Sequence, residues 1–591
     1  MPRNGVIAML YENYIRVLHI DMNNNKVRIE LREDLKQYLG GVGIATKLLE
    51  ENLHPEADAL DADQPVIFAC GVLTSIFPVV TKTVAMFKSP LTGEMGESYA
   101  GGRMALTMQM AGYDAIVIKG KSDRMTYLSI NANDVSFKDA RAFKGVSSTH
   151  IGRLIREREE GAGKRSILRI GPAGERMVKY ASVCVDTYRH FGRLGLGAVF
   201  GSKNLKAISI TGEKSIPIKY PAEYLKAYKV LYDKSTETEL MIKYHDLGTS
   251  VNVEPLSIAG ALPTLNLQKA SIENAHEISG ESFAENHLIR KVACTGCPVG
   301  CIHVGQYRVE FDRGYEYESV SVGYDYELIF ALGSFLGIDK PIEILRLIEM
   351  VEEEGIDAIS AGISLGWATE AYAKNLISDA DTIVPLQFGN VENYLKALEY
   401  ISERENEFYR ILGEGVHQAS HTYGGEEFAM SIAGNEMAGY HTGYGSLIGM
   451  TVGARHSHLC NGGYSIDQSM KEFDKVKLVD ALFKEEIERC MLNSLAICLF
   501  ARKVYDRQTI LMALSSIGMK DITDQSLTEV GREIYKGKLR IKKAMGFDVK
   551  EVKLPERFFR TVSMTGMLDR AVADELIAMY DQKCEELLRE E

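Results

Sequence analysis

No run in this chain of 591 residues is apolar for long enough to cross a bilayer; the longest strongly apolar stretch, LIFALGSFLGI at 328–338, is about half of the roughly 20 residues a spanning helix needs. The opening MPRNGVIAMLYENYIRVLHID lacks the basic start, sustained apolar segment and small-residue cleavage site of a secretory signal. Basic residues are in deficit. The 68 Lys and Arg face 81 Asp and Glu, for a net charge of -13 and a pI near 5.6, which excludes counterion-release binding to nucleic acid. Internal repeats and low-complexity linkers are also missing. These absences predict a cytoplasmic protein with no membrane span. Cysteine is scarce too, with only nine positions, and in a reducing compartment closely spaced cysteines bind metal or carry redox chemistry more readily than they form disulfides.

What is present is ordinary globular composition, 46% apolar and 25% charged, enough to bury a large core. The first part reads as β-rich. YIRVLHID (14–21), KVRIEL (26–31), DAIVIKG (114–120), MTYLSI (125–130) and KAISITG (206–212) are β-branched or aromatic runs separated by turn clusters, and they predict antiparallel sheets. Past residue 216 helical periodicity takes over. Asp339 is placed to cap a helix that has Pro341 in its first turn and Gly355 at its stop. The fold class is therefore α+β, divided softly as 1–212, 213–410 and 411–591.

Three of the nine cysteines fall in CTGCPVGC, residues 294–301. Cys294, Cys297 and Cys301 have the spacing C-x2-C-x3-C, tight enough to converge on one inorganic centre. An iron–sulfur cluster commonly takes three local cysteines and a remote one. A structural zinc ion usually adds a second close pair of Cys or His, which does not follow here. Cys498, in the apolar run NSLAICLF, is either a remote ligand or a buried core thiol. GRLGLGAVFG contains G-x-G without the full nucleotide-binding order.

The runs KSPLTGEMGESYAGGRMALTMQMAGYDAIVIKGKS (88–122), GRLGLGAVFGSKNLKAISITG, CTGCPVGC, EEEGIDAISAG and NSLAICLF, in that order, resemble the aldehyde:ferredoxin oxidoreductase family of tungsten enzymes. The resemblance implies a β-rich base under two mainly helical domains, with a tungsten (or molybdenum) bis-pterin and a [4Fe–4S] cluster at their junction. The metal binds through pterin sulfurs in either case. Cluster ligands would be Cys294, Cys297, Cys301 and Cys498. Two pterin motifs map onto Glu352, Gly355, Ile356 and Asp357, and onto Asn493 and Ile497; both depart from the family pattern, since Glu352 and Asn493 stand where an Asp leads. Glu still accepts hydrogen bonds from ring amines, while Asn offers one uncharged carbonyl. The family's pterin phosphates, bridged by Mg2+, would lie against Tyr99, Ala100, Gly101, Gly102, Gly195 and Gly197, with Lys82 and Arg193 as cations.

The resemblance also places a catalytic carboxylate at Glu327, in YDYELIFALGSFLGI, and a histidine at His458, in GARHSHLCNGGYS. His456 is the second choice, and alternation predicts both imidazoles on one face of an extended segment. His441 is a candidate for lining a substrate channel, and Cys460 for reaching the metal. The implied reaction is oxidation of an aldehyde to a carboxylic acid, with electrons leaving through the cluster to ferredoxin or a dedicated iron–sulfur subunit, in a homo- or hetero-oligomer. Two other readings stand beside it: a subunit of an aryl-CoA or carboxylic acid reductase complex with the same fold, and a zinc-stabilised scaffold without activity.

Overall fold

The computed structural model describes residues 14–132, 134–161, 164–312, 314 and 316–590; most of the stretch read for a secretory leader, residues 1–13, lies outside them. Six strands, β1 (Ile15–Asp21), β2 (Lys26–Arg32), β3 (Val66–Cys70), β4 (Thr83–Lys88), β5 (Met95–Ala100) and β6 (Ala115–Lys119), form one sheet in the order β2-β1-β6-β3-β4-β5. A second sheet contains β7 (Thr126–Asn131), β8 (Asp134–Asp139), β9 (Arg165–Arg169), β10 (Val183–Val185), β11 (Arg189–Phe191) and β12 (Leu205–Thr211), in the order β11-β10-β9-β12-β7-β8. The expectation of purely antiparallel sheets fails at two ladders, β1 with β6 and β7 with β12, which are parallel. Long connections carrying helices join these pairs, and parallel neighbours require such crossovers.

Alternation along the strands builds a layered base. Leu18, Phe68, Ile116, Leu128, Leu168 and Ile208 share the apolar core between the sheets. The opposite face of the first sheet, with Val17, Ile67, Val84 and Val117, packs into the core of the helix Gly41–Asn52 and of the C-terminal helices. A period of 2 with both faces buried makes the first sheet a central layer.

The remainder is mainly helical, but it also contains strands that the sequence reading missed. Strands β13 (Leu288–Val292), β14 (Ile302–Asp312) and β15 (Glu316–Tyr324) form an antiparallel sheet in the order β13-β14-β15. The helix Pro341–Glu354 ends as expected at Gly355, whose φ of 73° is the left-handed turn glycine adopts without penalty. Its first residue is preceded by Lys340 rather than capped by Asp339; Asp339 instead accepts a hydrogen bond from Asn274 Nδ2 at 2.7 Å. No helix among the described residues is long and apolar enough to cross a membrane.

Candidate functional site

The cysteine loop joins β13 to β14. It turns at Gly296 and Gly300, both with positive φ (78° and 64°), and is tied to the base where Thr295 N donates to Gly102 O at 3.0 Å. Cys498 arrives from the other end of the chain on a segment stitched to the same base: Cys498 N donates to Val79 O at 3.2 Å and Lys82 N to Ala496 O at 3.4 Å. Cys297, Cys301 and Cys498 pack against one apolar cluster that includes Ile497. The Cys297 thiol feels the other three, and Cys301 feels Cys498 and Cys294. Burial pushes Cys297 up to about 12 and Cys301 to about 11. Cys294 differs: burial opposes its ionisation, yet the charges of Arg189 and Lys82 hold its thiol below the usual range. Among the described residues no three or more His, Cys, Asp or Glu are arranged to hold a single metal ion.

Beside the loop lies a cavity of about 190 Å³ whose walls include Lys82, Tyr99, Gly101, Arg189, His190 and Glu352. Gly101 is required by proximity, because a Cβ there would stand 2.6 Å from Cys294 Sγ and 3.6 Å from Lys82 Nζ. Ala100 is buried in β5 opposite Thr83. The Tyr99 hydroxyl donates to Glu97 Oε1 at 2.8 Å, and Arg455 lies 5.0 Å from its ring centre. Burial raises the Glu352 carboxyl to about 8, with His190 opposing the rise.

The segment 355–357 docks on residues 180–182 through its backbone: Ser182 N donates to Gly355 O at 2.8 Å, Asp357 N to Tyr180 O at 3.0 Å, and Ala181 bridges Ile356. Asp357 caps the helix Ala358–Ala373, accepting from Ile359 N and Ser360 N at 3.4 and 3.1 Å. Arg193 holds this cap from the other side, with Nε 3.4 Å from Asp357 Oδ2 and Nη2 donating to Glu436 O at 2.8 Å. Its Nη1 is buried with no hydrogen-bond partner, an orphan donor suited to an anionic group.

Gly195 and Gly197 each answer to a close backbone approach. A Cβ at Gly195 would meet Lys179 O at 2.0 Å, and one at Gly197 would meet Ser182 O at 2.5 Å. The Gly197 N–H already donates to Ala181 O at 2.9 Å. Both glycines let the helix Leu196–Ser202 press on the 179–182 backbone. Asn493 is buried, and its backbone carbonyl oxygen would lie 2.3 Å from a Cβ at Gly41.

Glu327 stands in the first turn of the helix Tyr326–Leu332, which Asp325 caps. Its Oε2 accepts from Gly439 N at 3.2 Å and its Oε1 lies 3.3 Å from His458 Nε2. Burial lifts the carboxyl to about 8. Burial, reinforced by Arg193, Arg455 and Arg489, drives His458 well below its ordinary value. The His458 Nδ1 is buried with no partner. Tyr440 and Tyr464 stack at 4.2 Å, their ring centres 5.2 and 5.9 Å from the imidazole.

His456 does not share that face. Its φ of 53° breaks the extended run, so the alternation argument fails. The ring turns instead into a buried network in which Lys542 Nζ donates to His456 Nε2 at 2.9 Å and pairs with Glu94 Oε2 at 2.7 Å. His441 is likewise engaged, 2.9 Å from Thr561 O. Cys460 is buried beside Arg455, where burial raises its thiol. The sequence reading missed Arg189, His190, Glu436 and Lys542, whose partners lie far away along the chain.

A layered sheet base and a mainly helical remainder thus carry a buried carboxyl–imidazole pair and a loop rich in cysteine. The profile of the aldehyde ferredoxin oxidoreductase N-terminal domain matches residues 17–212, and that of domains 2 and 3 matches 224–587. The chain is 31% identical to the tungsten-containing aldehyde ferredoxin oxidoreductase of Pyrococcus furiosus, covering 93% of this chain and 92% of that one. It is also 31% identical to the WOR-like subunit of an aliphatic sulfonate oxidoreductase from the same organism, covering 68% and 66%. The active-site complex of a benzoyl coenzyme A reductase has the same fold, with a TM-score of 0.81 and 20% identity over 96% of this chain and 94% of that one. The chain belongs to the aldehyde ferredoxin oxidoreductase family. It is an oxidoreductase, and this tungsten-containing family implies a pterin cofactor.

Proposed function

We propose that this protein oxidises aldehydes to carboxylic acids and passes the electrons to ferredoxin. The observation that carries the reading is the Glu327–His458 pair, whose shared burial makes the carboxyl hold a proton and the imidazole refuse one. Such opposed environments define acid and base roles. An aldehyde and one water give a carboxylate, three protons and two electrons. The active form is the fraction in which Glu327 is ionised, and there the carboxylate takes the proton released as oxygen attacks the carbonyl carbon. Oε1 lies 3.3 Å from His458 Nε2 without a hydrogen bond between them; once protonated, Oε1–H turns to donate to Nε2, which leaves Nδ1–H to donate to the carbonyl oxygen as negative charge develops there.

A tungsten (or molybdenum) bis-pterin would supply the two-electron acceptor. Lys82, Gly101, Glu352, Asp357 and the orphan Arg193 Nη1 would hold its rings and phosphates, with Mg2+ as an accompanying cation. Cys294, Cys297, Cys301 and Cys498 would hold a [4Fe–4S] cluster, a body broad enough for a quartet not drawn together on one ion. The test is elemental analysis of protein purified without oxygen, followed by aldehyde-dependent reduction of benzyl viologen. Tungsten or molybdenum with about four iron atoms per chain and dye turnover support the reading. Zinc alone, or turnover only with acyl-CoA esters, refutes it.

A further inference from the structure

The chain carries a net charge of -13, yet one recess in its surface is strongly basic. A cavity of about 490 Å³ is lined by Gly102, Arg103, Asp186, Arg189, Arg290 and Lys291. Two further wall residues, Ala293 and Thr295, flank Cys294 in sequence. The lone acid is spent inward: Asp186 Oδ2 accepts from Arg103 N at 2.8 Å and Oδ1 from Ser166 Oγ at 2.9 Å. Lys291 shares its charge with Asp246 at 3.4 Å, at a side chain 56% exposed.

We propose that this recess is the docking site for a diffusible acidic iron–sulfur protein of the ferredoxin class, which collects electrons at Cys294. The inference rests on the reading above. Arg290 and Lys291 lie on β13, the edge strand of its sheet. Charges on an edge also discourage strand pairing, but that duty does not require them to share a cavity with the residues on either side of one cluster thiol. The recess is small and concave, with its cations set around an apolar floor that includes Val292 and Ile302, in keeping with the limited contact area of a transient redox encounter rather than a permanent subunit interface. Attraction is local and repulsion is global. At about 0.01 M salt the screening length of roughly 30 Å lets the partner sense the whole acidic molecule, whereas near 0.15 M it shrinks to about 8 Å and only the recess is felt. Each turnover releases two electrons, one to each of two oxidised ferredoxins.

The experiment compares holoenzyme turnover with an acidic [4Fe–4S] ferredoxin and with benzyl viologen across a salt series. The ferredoxin rate passes through a maximum as salt rises. The double variant R290E/K291E raises the KM for ferredoxin at least about tenfold and keeps its viologen rate. K477E/K550E makes the same change in net charge at two exposed lysines elsewhere and leaves the ferredoxin KM within about twofold. An unchanged KM in R290E/K291E with dye turnover retained overturns the docking site alone, as does an equal loss in K477E/K550E. Wild-type protein that reduces neither acceptor with any aldehyde overturns the proposed function, and the docking site with it.

Discussion

Replacing Glu327 by Gln should stabilise the protein at alkaline pH while abolishing its turnover. The carboxyl sits at about 8 against an ordinary value of 4.5, and at about 1.4 kcal/mol per unit that difference amounts to roughly 5 kcal/mol. The folded protein keeps this proton to about pH 8, whereas the unfolded chain releases it near 4.5. Between those values the folded state binds more protons, so the contribution of Glu327 to stability is lost as pH rises and stays lost above 8. Glutamine keeps the shape without the charge. For one cooperative unit of 591 residues, an unfolding entropy of about 2.1 cal/mol/K per residue turns roughly 5 kcal/mol into about 4 °C of Tm. Parallel thermal melts of E327Q and wild type should coincide near pH 4.5 and separate by about this amount at pH 8.5, with the variant higher. Other raised carboxyls, such as Glu352 and Asp467, cancel in the difference. A Tm gap that does not change with pH would refute the reasoning, because it would mean that the carboxyl ionises normally in the folded state.

Three further outcomes follow from the same geometry. The turnover kcat/KM for an aldehyde should climb about tenfold per pH unit below 8 and level off above it, as Glu327 becomes a carboxylate; a flat profile from pH 6 to 9 would remove Glu327 as the base. Gly101→Ala puts a methyl 2.6 Å from Cys294 Sγ and should displace that thiol at a cost of about 1–3 kcal/mol. Iron content should fall while tungsten or molybdenum is retained, and a full iron complement would show that Cys294 does not ligate. Lys542→Met strips the partner from Glu94, whose buried carboxyl is held at about 2 by Lys542 and His456 against the cost of burial. Unfolding at pH 7 should then become easier by about 3 kcal/mol. That loss should fade as pH falls through the ordinary carboxylate range, with dye turnover of the folded fraction intact; a selective loss of turnover would return His456 to the catalytic machinery.

The sequence carried its clearest information where structure is local. Gly355 was legible as a helix stop because a left-handed residue after an amphipathic run is a matter of a few neighbouring positions. β1, β2, β6, β7 and β12 were legible from β-branched runs. β14 and β15 also advertised themselves, with Tyr307, Val309 and Phe311 alternating with polar residues, but the helical periodicity on either side drowned the signal. Parallel pairing of β1 with β6 was not legible, because register between distant strands is fixed by the crossover rather than by either strand. Within the site, Glu327 and His458 were singled out through family resemblance and are brought together by the fold. At Gly195 and Gly197, which the same resemblance put on phosphates, the backbone of 179–182 packs too closely for a side chain. Arg193 with Glu436, and Glu94 with Lys542, are pairs made by tertiary folding, and no local pattern announces them.

The strip from Asn493 to Cys498 lies on Gly41, Gly71, Val79 and Lys82 of the base so closely that side chains at the glycines would collide with its backbone. During synthesis the base leaves the ribosome first, and this trench stays open until most of the polypeptide has been made. A nascent chain stalled before residue 493 would expose the trench to water and to foreign strands. On the proposed ligand set, inorganic loading would be completed only after this strip has docked.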